Sequence, residues 1–438
     1  MKRRRTSIVT CAVAASALVL AGCGGGADDK STAGKEVKPG EVIELEYMHR
    51  LPDGEGMTPV QEIVDRWNEE NPEVQVTANK WGGEALEMIK QLELDVNSGS
   101  APCLAQLAYA EVPEMYAKGM LEDVKDEAEK YKDNFSGAYA QMGVGDAIVG
   151  LPQDTGPLVY FYDEAAFQEL DLDVPNTVEE LKEMAVKAAE QGKYILDFEI
   201  DEAQNWLSGQ AAAAGDTWYG TEGDQWVVDT EGDGAQVVAD FWQEMLDNDA
   251  ALTHNRWDDA YTKAMQDGEL IGNIGAAWEA GFMLDAVVPE DEEGTWKVAP
   301  LPDFGAGQLT GPDGGSGVAV MKGCEYPAQA VEFIDWFNRQ TEDLATQGLV
   351  VAAKGDVTTP EKVKRQFGGQ DVFAELAKAN ESLTDKFPYI PGFSSVGPKM
   401  NDTAAKVIAG EAKVADIFAA AQEASIAALK DLNLPVAD

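Results

Sequence analysis

Catalysis by an activated serine or cysteine needs a base, and this chain of 438 residues holds only two histidines, His49 and His254. Neither accompanies a nucleophile motif, so a Ser-His-Asp or Cys-His site lacks its parts. A Cys/His zinc site lacks ligands for the same reason. The glycine-rich stretches Gly305-Ala306-Gly307 and Gly311 to Gly317 are followed by no Lys-Ser or Lys-Thr pair, which excludes a P-loop. Asp229-Thr230-Glu231-Gly232-Asp233-Gly234 imitates a calcium loop, but the last ligand position holds Asp240 where glutamate is usual. A helix also follows too early, and the stretch reads as a solvated turn. No cofactor and no metal are expected. Glycoside hydrolysis needs only two carboxylates, and 79 acidic residues leave that chemistry open.

What the chain does offer is aromatic surface beside polar groups. A sugar presents hydroxyls and apolar C–H faces, so a site for it needs aromatic plates, planar polar side chains and few cations. Among the ten tryptophans, Trp81 precedes Gly82-Gly83, Trp206 follows Asn205, and Trp278 precedes Glu279 at the end of Gly275-Ala276-Ala277. These residues are candidates for ligand binding. Gln153 and Asp154 lie between Pro152 and Gly156, on what reads as a constrained turn suited to hydrogen bonding. An Asx-turn capping its own backbone is the alternative for Asp154. Gln106 and Tyr109 close a strand and join the candidates. Trp67, Trp242, Trp257 and Trp336 fall at helical spacing and are expected in the core.

Lys and Arg number 33 against 79 Asp and Glu, a formal net charge of -46. That sign excludes a nucleic-acid partner, which needs clustered cations. It also excludes docking to anionic lipid through a basic face. Met1-Lys2-Arg3-Arg4-Arg5 is a cationic start, and Ile8 to Leu20 is apolar but too short to span a bilayer. Leu20-Ala21-Gly22-Cys23 resembles the bacterial lipobox. In that family of signals the cysteine sulfur takes a diacylglycerol and begins the mature chain; an ordinary signal peptide is the alternative. The resemblance implies a signal peptide at 1–22, lipidation of Cys23, and a flexible tether over 23–40, rich in Gly, Ser, Ala and charge. It places the protein outside the cell, on the outer face of the cytoplasmic membrane, held by the lipid alone. Cys103 and Cys324 are left as a pair in an exported chain, where a disulfide is expected and two buried thiols are the alternative.

These residues need elements to position them, and the length predicts two or three domains. Val42 to Met48 alternates like a strand, Val60 to Asn68 has helical spacing, and Val74 to Val76 is a second strand. Leu86 to Val96 reads as a helix, Leu104 to Ala108 as a strand, and Val112 to Ala117 as a helix. This βαβα rhythm predicts a mostly parallel sheet flanked by helices. Further strands are expected at Leu158 to Tyr162, Ile271 to Ala277, Trp296 to Ala299 and Gly317 to Met321. Helices are expected at Thr177 to Gln191, Ala235 to Asp247, Asp258 to Gln266, Ala328 to Gln340 and through Ala404 to Leu432.

A set of ordered motifs then carries a resemblance. They are Ser100-Ala101-Pro102-Cys103-Leu104-Ala105-Gln106, Gly119-Met120-Leu121-Glu122-Asp123-Val124, and Gly150-Leu151-Pro152-Gln153-Asp154-Thr155-Gly156-Pro157-Leu158 running into Tyr160-Phe161-Tyr162-Asp163. Gly275-Ala276-Ala277-Trp278-Glu279, Gly314-Gly315-Ser316-Gly317-Val318-Ala319-Val320 and Ala330-Val331-Glu332-Phe333-Ile334-Asp335-Trp336-Phe337 follow. Over nearly all of 41–438 the chain resembles the solute-binding proteins of carbohydrate ABC importers. Many members carry Asp after the proline where this chain has Cys103.

The resemblance implies an α/β fold of the two-lobed periplasmic-binding-protein type (type II), each lobe a mostly parallel sheet flanked by helices, with a ligand cleft between. The lobes are expected as 41–153 with 301–351, and 154–300 with 352–438. Crossings are expected near Asp154–Pro157, near Val298–Pro300, and after Val351. It further implies a stacking role for Trp278, a place for Ser316 in the site, and cleft closure by the loop carrying Phe393 and Ser394. The expected function is capture of a sugar, a di- or oligosaccharide, and its delivery to ABC permease subunits by a monomer without enzymatic activity. The alternative is a secreted glycoside-active enzyme.

Overall fold

The computed structural model describes residue 38 and residues 40–437, apart from 55–56, 84, 290, 356 and 385–386. The expected signal peptide, Cys23 and nearly all of the tether lie outside the described residues. Among the described residues no helix is long and apolar enough to cross a membrane.

The first elements follow the periodicity. β1 (Ile43–His49) buries Ile43, Leu45, Tyr47 and His49 on one face. α1 (Val60–Glu70) packs Val60, Ile63, Val64 and Trp67, an i, i+3, i+4, i+7 stripe, into the core. β2 (Val74–Lys80), α2 (Ala85–Ser98), β3 (Leu104–Ala108) and α3 (Val112–Ala117) follow. Both β2 and β3 pair with β1 in parallel.

β4 (Gly150–Asp163) is longer than the expected Leu158 to Tyr162 strand. Pro152 and Gly156 do not end it. Pro152 sits where the partner strand shifts register between Ser316 and Gly317, so its missing N–H breaks no regular ladder. Gln153 and Asp154 therefore lie inside a buried strand and not on a turn.

α4 (Val178–Ala189) is capped by Thr177, whose hydroxyl accepts from the Glu180 N–H at 3.2 Å. β5 (Asp197–Glu199), α5 (Ala203–Ala213) and α6 (Asp233–Asp247) come next. β6 (Leu252–His254) pairs with β5 in parallel, and α7 (Asp259–Gln266) is capped by Asp258. β7 (Gly272–Ala276), β8 (Trp296–Pro300) and β9 (Pro312–Val320) precede α8 (Pro327–Asn338). α9 (Glu361–Gln366), α10 (Val372–Glu381), α11 (Gly397–Ile408) and α12 (Ala415–Asp431) complete the chain. The helical C-terminal stretch is thus split in two, with Gly410 at φ +73° just past α11.

The main sheet runs β7-β4-β9-β3-β1-β2, with β8 also on β4. β4 changes partners along its length. Residues 150–157 pair with β9, and residues 158–163 pair antiparallel with β7 and β8. Pro300 completes the β8 ladder opposite Val159. Beyond it, the Asp303 N–H donates to Asn176 at 2.9 Å, and the Thr310 hydroxyl donates to the Leu158 carbonyl at 2.6 Å. These bonds tie the 303–310 stretch to Asn176 and Leu158 before β9 begins at Pro312. Past Val351, the Ala352 and Lys354 N–H groups donate to the Gln153 and Asn134 carbonyls.

Cys103 precedes β3 and Cys324 follows β9. Those strands are antiparallel with Leu104 opposite Val320, so the two cysteines share one end of the ladder. They form a disulfide with Cα atoms 4.7 Å apart. Closing a loop this long stabilises the fold by about 5 kcal/mol in the chain-entropy model. Accordingly, protein unfolded without reductant should show no titratable thiol at either position. The double variant Cys103→Ser with Cys324→Ser should unfold at lower denaturant, and equal midpoints would remove the stabilising role.

Candidate functional site

In a parallel sheet, ligands gather outside the C-terminal ends of the strands. Here β1 ends at His49-Arg50, β2 at Lys80-Trp81 and β3 at Ala108-Tyr109. Register brings four expected residues together at this edge. Ser316 on β9 stands opposite Ala108 on β3 and opposite Asp154 on β4. Its hydroxyl donates to the Asp154 carboxylate and accepts from Gln106 Nε2 at 3.2 Å. Gln106 Oε1 accepts from the Arg50 N–H at 2.7 Å, and the Tyr109 hydroxyl donates to the Asp154 carbonyl at 2.7 Å. Arg50 makes a two-pronged bond to Glu111, with its Nη atoms 3.0 and 2.9 Å from the carboxylate oxygens. Burial pushes the Asp154 carboxyl up to about 6; the Ser316 bonds and the Arg50 charge oppose that rise.

A second group gathers at Asp313, three residues before Ser316 on β9. Arg256 is buried, and four carboxylates meet its guanidinium. Nε lies 2.8 Å from Glu199, Nη1 donates to Glu279 at 3.0 Å, and Nη2 donates to Asp313 at 3.1 Å and lies 3.2 Å from Glu202. Asn273 donates to the second Glu199 oxygen at 2.9 Å. Burial raises the carboxyls of Glu202 and Glu279 to about 7, although Arg256 pulls them down. Above this cluster sits Trp278, half-buried, with the Arg256 guanidinium carbon 5.4 Å from its ring centroid. Its Nε1 donates to the Asp313 carbonyl at 2.9 Å. Phe282 stacks on Trp278 at 5.7 Å and meets Trp257 at 5.2 Å, which makes an aromatic shelf. Phe282 is 39% exposed, unusual for so large an apolar ring.

Gly314 and Gly315 join the two groups. Both adopt positive φ, +84° and +95°. A Cβ on Gly314 would stand 3.2 Å from Trp278 Nε1, and one on Gly315 would stand 2.7 Å from the Tyr109 ring. The absent side chains are filled by the two aromatic residues of the site.

Several expected site residues lie elsewhere. Trp206 is fully buried; its N–H donates to the Ile274 carbonyl at 2.9 Å, and Trp242 packs on it at 4.7 Å. It is a core residue, because it lies on the inward face of α5. Asn205 beside it is half-buried, and its carbonyl accepts from the Ser208 hydroxyl. Gln153 is also interior, donating to Tyr47 and Asn338. Glu279 faces Arg256 and the Ala276 N–H, with its Oε2 buried and unpartnered. Phe393 is buried against Tyr219 and Tyr389. Its neighbour Ser394 is exposed and donates to Glu114 on α3 at 3.3 Å, joining distant parts of the chain. Trp81 stays half-buried at the end of β2. Sequence reasoning missed Arg50, Glu111, Arg256 and Phe282, and expected Trp257 in the core at helical spacing, whereas it precedes α7 at φ +66° and packs on Phe282. The available signal was a cation at a strand end: Arg50 directly follows β1, and Arg256 comes two residues after the last residue of β6.

The close approach at Gly315 is testable. Gly315→Ala should cost on the order of 2–4 kcal/mol, from left-handed backbone strain plus displacement of Tyr109. Gly307→Ala, at φ +89° with open space around it, should cost only the strain, about 1–2 kcal/mol. Equal losses in urea unfolding would show that Tyr109 does not need that space.

Comparison with known proteins adds the following. Residues 52–342 match the family model of the bacterial extracellular solute-binding proteins. Comparison with the curated proteins returned no match. The galacto-N-biose/lacto-N-biose I-binding protein of an ABC transporter from Bifidobacterium longum, solved with lacto-N-biose, is 50% identical. That similarity covers 92% of this chain and 100% of the other, with a TM-score of 0.85. An ABC-transporter-associated binding protein from B. animalis subsp. lactis, solved with beta-1,6-galactobiose, is 23% identical over 91% of this chain and 100% of that one, TM-score 0.73. A cyclic alpha-maltosyl-1,6-maltose binding protein from Arthrobacter globiformis is 19% identical over 89% and 100%, TM-score 0.71.

Proposed function

The chain belongs to the bacterial extracellular solute-binding proteins, with the type II fold, and from that premise we propose that it captures a neutral di- or oligosaccharide outside the cell for an ABC permease. The observation that carries this reading is the pairing of an aromatic shelf, Trp278 with Phe282, and a hydrogen-bonding edge, Gln106-Tyr109-Asp154-Ser316, across the Gly314-Gly315 crossing. The shelf offers a stacking face for C–H surface, and the edge offers donors and acceptors for hydroxyls. Arg50 and Arg256 are both spent on carboxylates, so neither is free to hold a charged ligand.

In this reading the two lobes meet at Asp154–Pro157 and Pro312–Ser316, and Ser394 with Glu114 belongs to the closing rim. Closure is a hinge motion. The protein works as a monomer and releases its sugar unchanged. Cys23 carries the lipid that keeps it on the outer face of the membrane.

Titration with lacto-N-biose, galacto-N-biose and beta-1,6-galactobiose tests the reading directly. At least one should bind with measurable heat and be recovered intact; cleavage products would point to an enzyme instead. Trp278→Ala should weaken the bound sugar by about 2 kcal/mol, roughly thirtyfold in Kd, as loss of a buried aromatic anchor does. Trp206→Ala should behave in the opposite way, with a stability loss of about 3–5 kcal/mol from the cavity and little change in affinity of the folded fraction. Wild-type affinity in the Trp278 variant would remove that ring from the site.

The anchor has its own test. Cys23→Ser should move the protein from the membrane fraction to the medium. A variant that still sediments with membranes would sink the lipid attachment.

A further inference from the structure

Trp278 is fixed from three directions, and Arg256 stands behind all of them. The guanidinium lies under the ring. It holds the side chain of Asp313, whose carbonyl accepts from Trp278 Nε1. It also holds Glu279, the next residue, whose carboxylate takes the Ala276 N–H and so sets the turn that presents the tryptophan.

The charge balance of this cluster is lopsided. One guanidinium faces Glu199, Glu202, Glu279 and Asp313, which would leave three uncompensated negative charges in a buried place if all were ionised. Other groups face it from every side, and they do not correct the imbalance. Asp201 accepts the Arg256 N–H at 2.8 Å. The phenols of Tyr261 on α7 and Tyr389 act on the same carboxylates. Asp197 is paired with His254 at the end of β6, and Asp258 caps α7 nearby. Glu202 alone among the four keeps a solvent path, its side chain 33% exposed, whereas Glu199, Glu279 and Asp313 are at most 2% exposed.

We propose that Arg256 is a positioning residue for the Trp278 shelf, and that its carboxylate shell takes up a proton when sugar covers the shelf. The inference rests on the sugar-binding reading above. Glu202 reaches the Arg256 guanidinium that backs the Trp278 ring; in the proposal, sugar on the shelf displaces water from this carboxylate, and a carboxylate losing water favours its neutral form. The sign follows by linkage. If the bound state holds more protons, affinity is higher on the acid side and falls as pH rises. The midpoint belongs near neutrality, where burial has already brought Glu202 and Glu279 to about 7.

The experiment is calorimetry with the neutral sugar that the wild type binds, in buffers of different ionisation heat, from pH 5.5 to 8.5. Wild type should take up a measurable fraction of a proton at pH 7. Affinity should fall about threefold or more across the range, since one fully linked proton gives about tenfold per pH unit. Glu202→Gln should shrink the uptake and flatten the profile, and this surface-reaching substitution leaves the buried ion pairs of Arg256 in place. Arg256→Gln should lose more affinity than Arg256→Lys, which restores the charge without the fork; should either fail to fold, the Glu202 variant still decides. A flat wild-type profile with no buffer dependence overturns the proposal. So does uptake that persists unchanged in both Glu202→Gln and Glu279→Gln. Absence of binding to any neutral sugar at every pH overturns the sugar reading itself, a result distinct from binding without proton uptake.

Discussion

The site depends on what β9 has to do. One strand must pair with β3 through Ser316–Val320 and with β4 through Pro312–Ala319. Its pairing with β4 shifts register twice, between Pro312 and Gly315 and between Ser316 and Gly317, and the first shift falls at Gly314-Gly315, where the backbone enters a region that side chains disfavour. Everything polar in the site is then set by position along four residues. Asp313 faces Arg256 and Trp278; Ser316 faces Asp154, Gln106 and the end of β3. In the hinge motion proposed above, the same irregularity would serve both positioning and movement.

The second constraint is electrostatic. A chain with a formal charge of -46 hides one of its few arginines among four acids. Removing Arg256, Glu199, Glu279 and Asp313 from water is expensive, and replacing such clusters by apolar residues often stabilises a fold. Its retention is therefore better explained by location than by stability. The raised carboxyls have the same consequence. Glu202 and Glu279 ionise near 7 in the fold against an ordinary value of 4.5, and Asp154 near 6 against 3.8. For groups raised in this way the folded state binds more protons than the unfolded chain between the two values. Their contribution to stability is present at low pH and is lost as pH rises, through 4.5 to about 7 for the two glutamates and 3.8 to about 6 for Asp154.

How much of this was readable depends on the range of the interaction. The βα alternation through Ala117 is a local pattern, and β1, α1, β3 and α3 stand within one or two residues of where periodicity places them. Gln106, Tyr109, Asp154 and Ser316 were each readable as strand-end or motif residues, and register brings them together. What the sequence hid was non-local. Pro152 and Gly156 look like a turn until a partner with a register shift appears opposite them. Arg256 is one cation in a loop, and only folding supplies the acids 57, 23, 54 and 57 residues away along the chain — acids indistinguishable by eye from the other seventy-five. Pro300 reads as an end of a segment, yet it completes β8.

Trp206 and Trp278 show what separates a core ring from a binding ring when local sequence does not. Each donates its indole N–H to a backbone carbonyl at 2.9 Å, Ile274 for one and Asp313 for the other, so each ring plane is fixed. Each has small residues near it and a polar neighbour in sequence. The difference lies in what covers the ring. Trp206 on α5 is closed in by Phe198 and Trp242, rings contributed by β5 and α6, and no water reaches it. Trp278 is held at its edge by Asp313 and backed by Arg256, a group that cannot leave without stranding four acids. Its remaining neighbour, Phe282, is itself open to solvent. A ring held by groups that must stay, next to one that still meets water, keeps its orientation while part of its surface is available. That combination lets a ligand replace water at low ordering cost, and it arises from the partners that the fold delivers to each tryptophan.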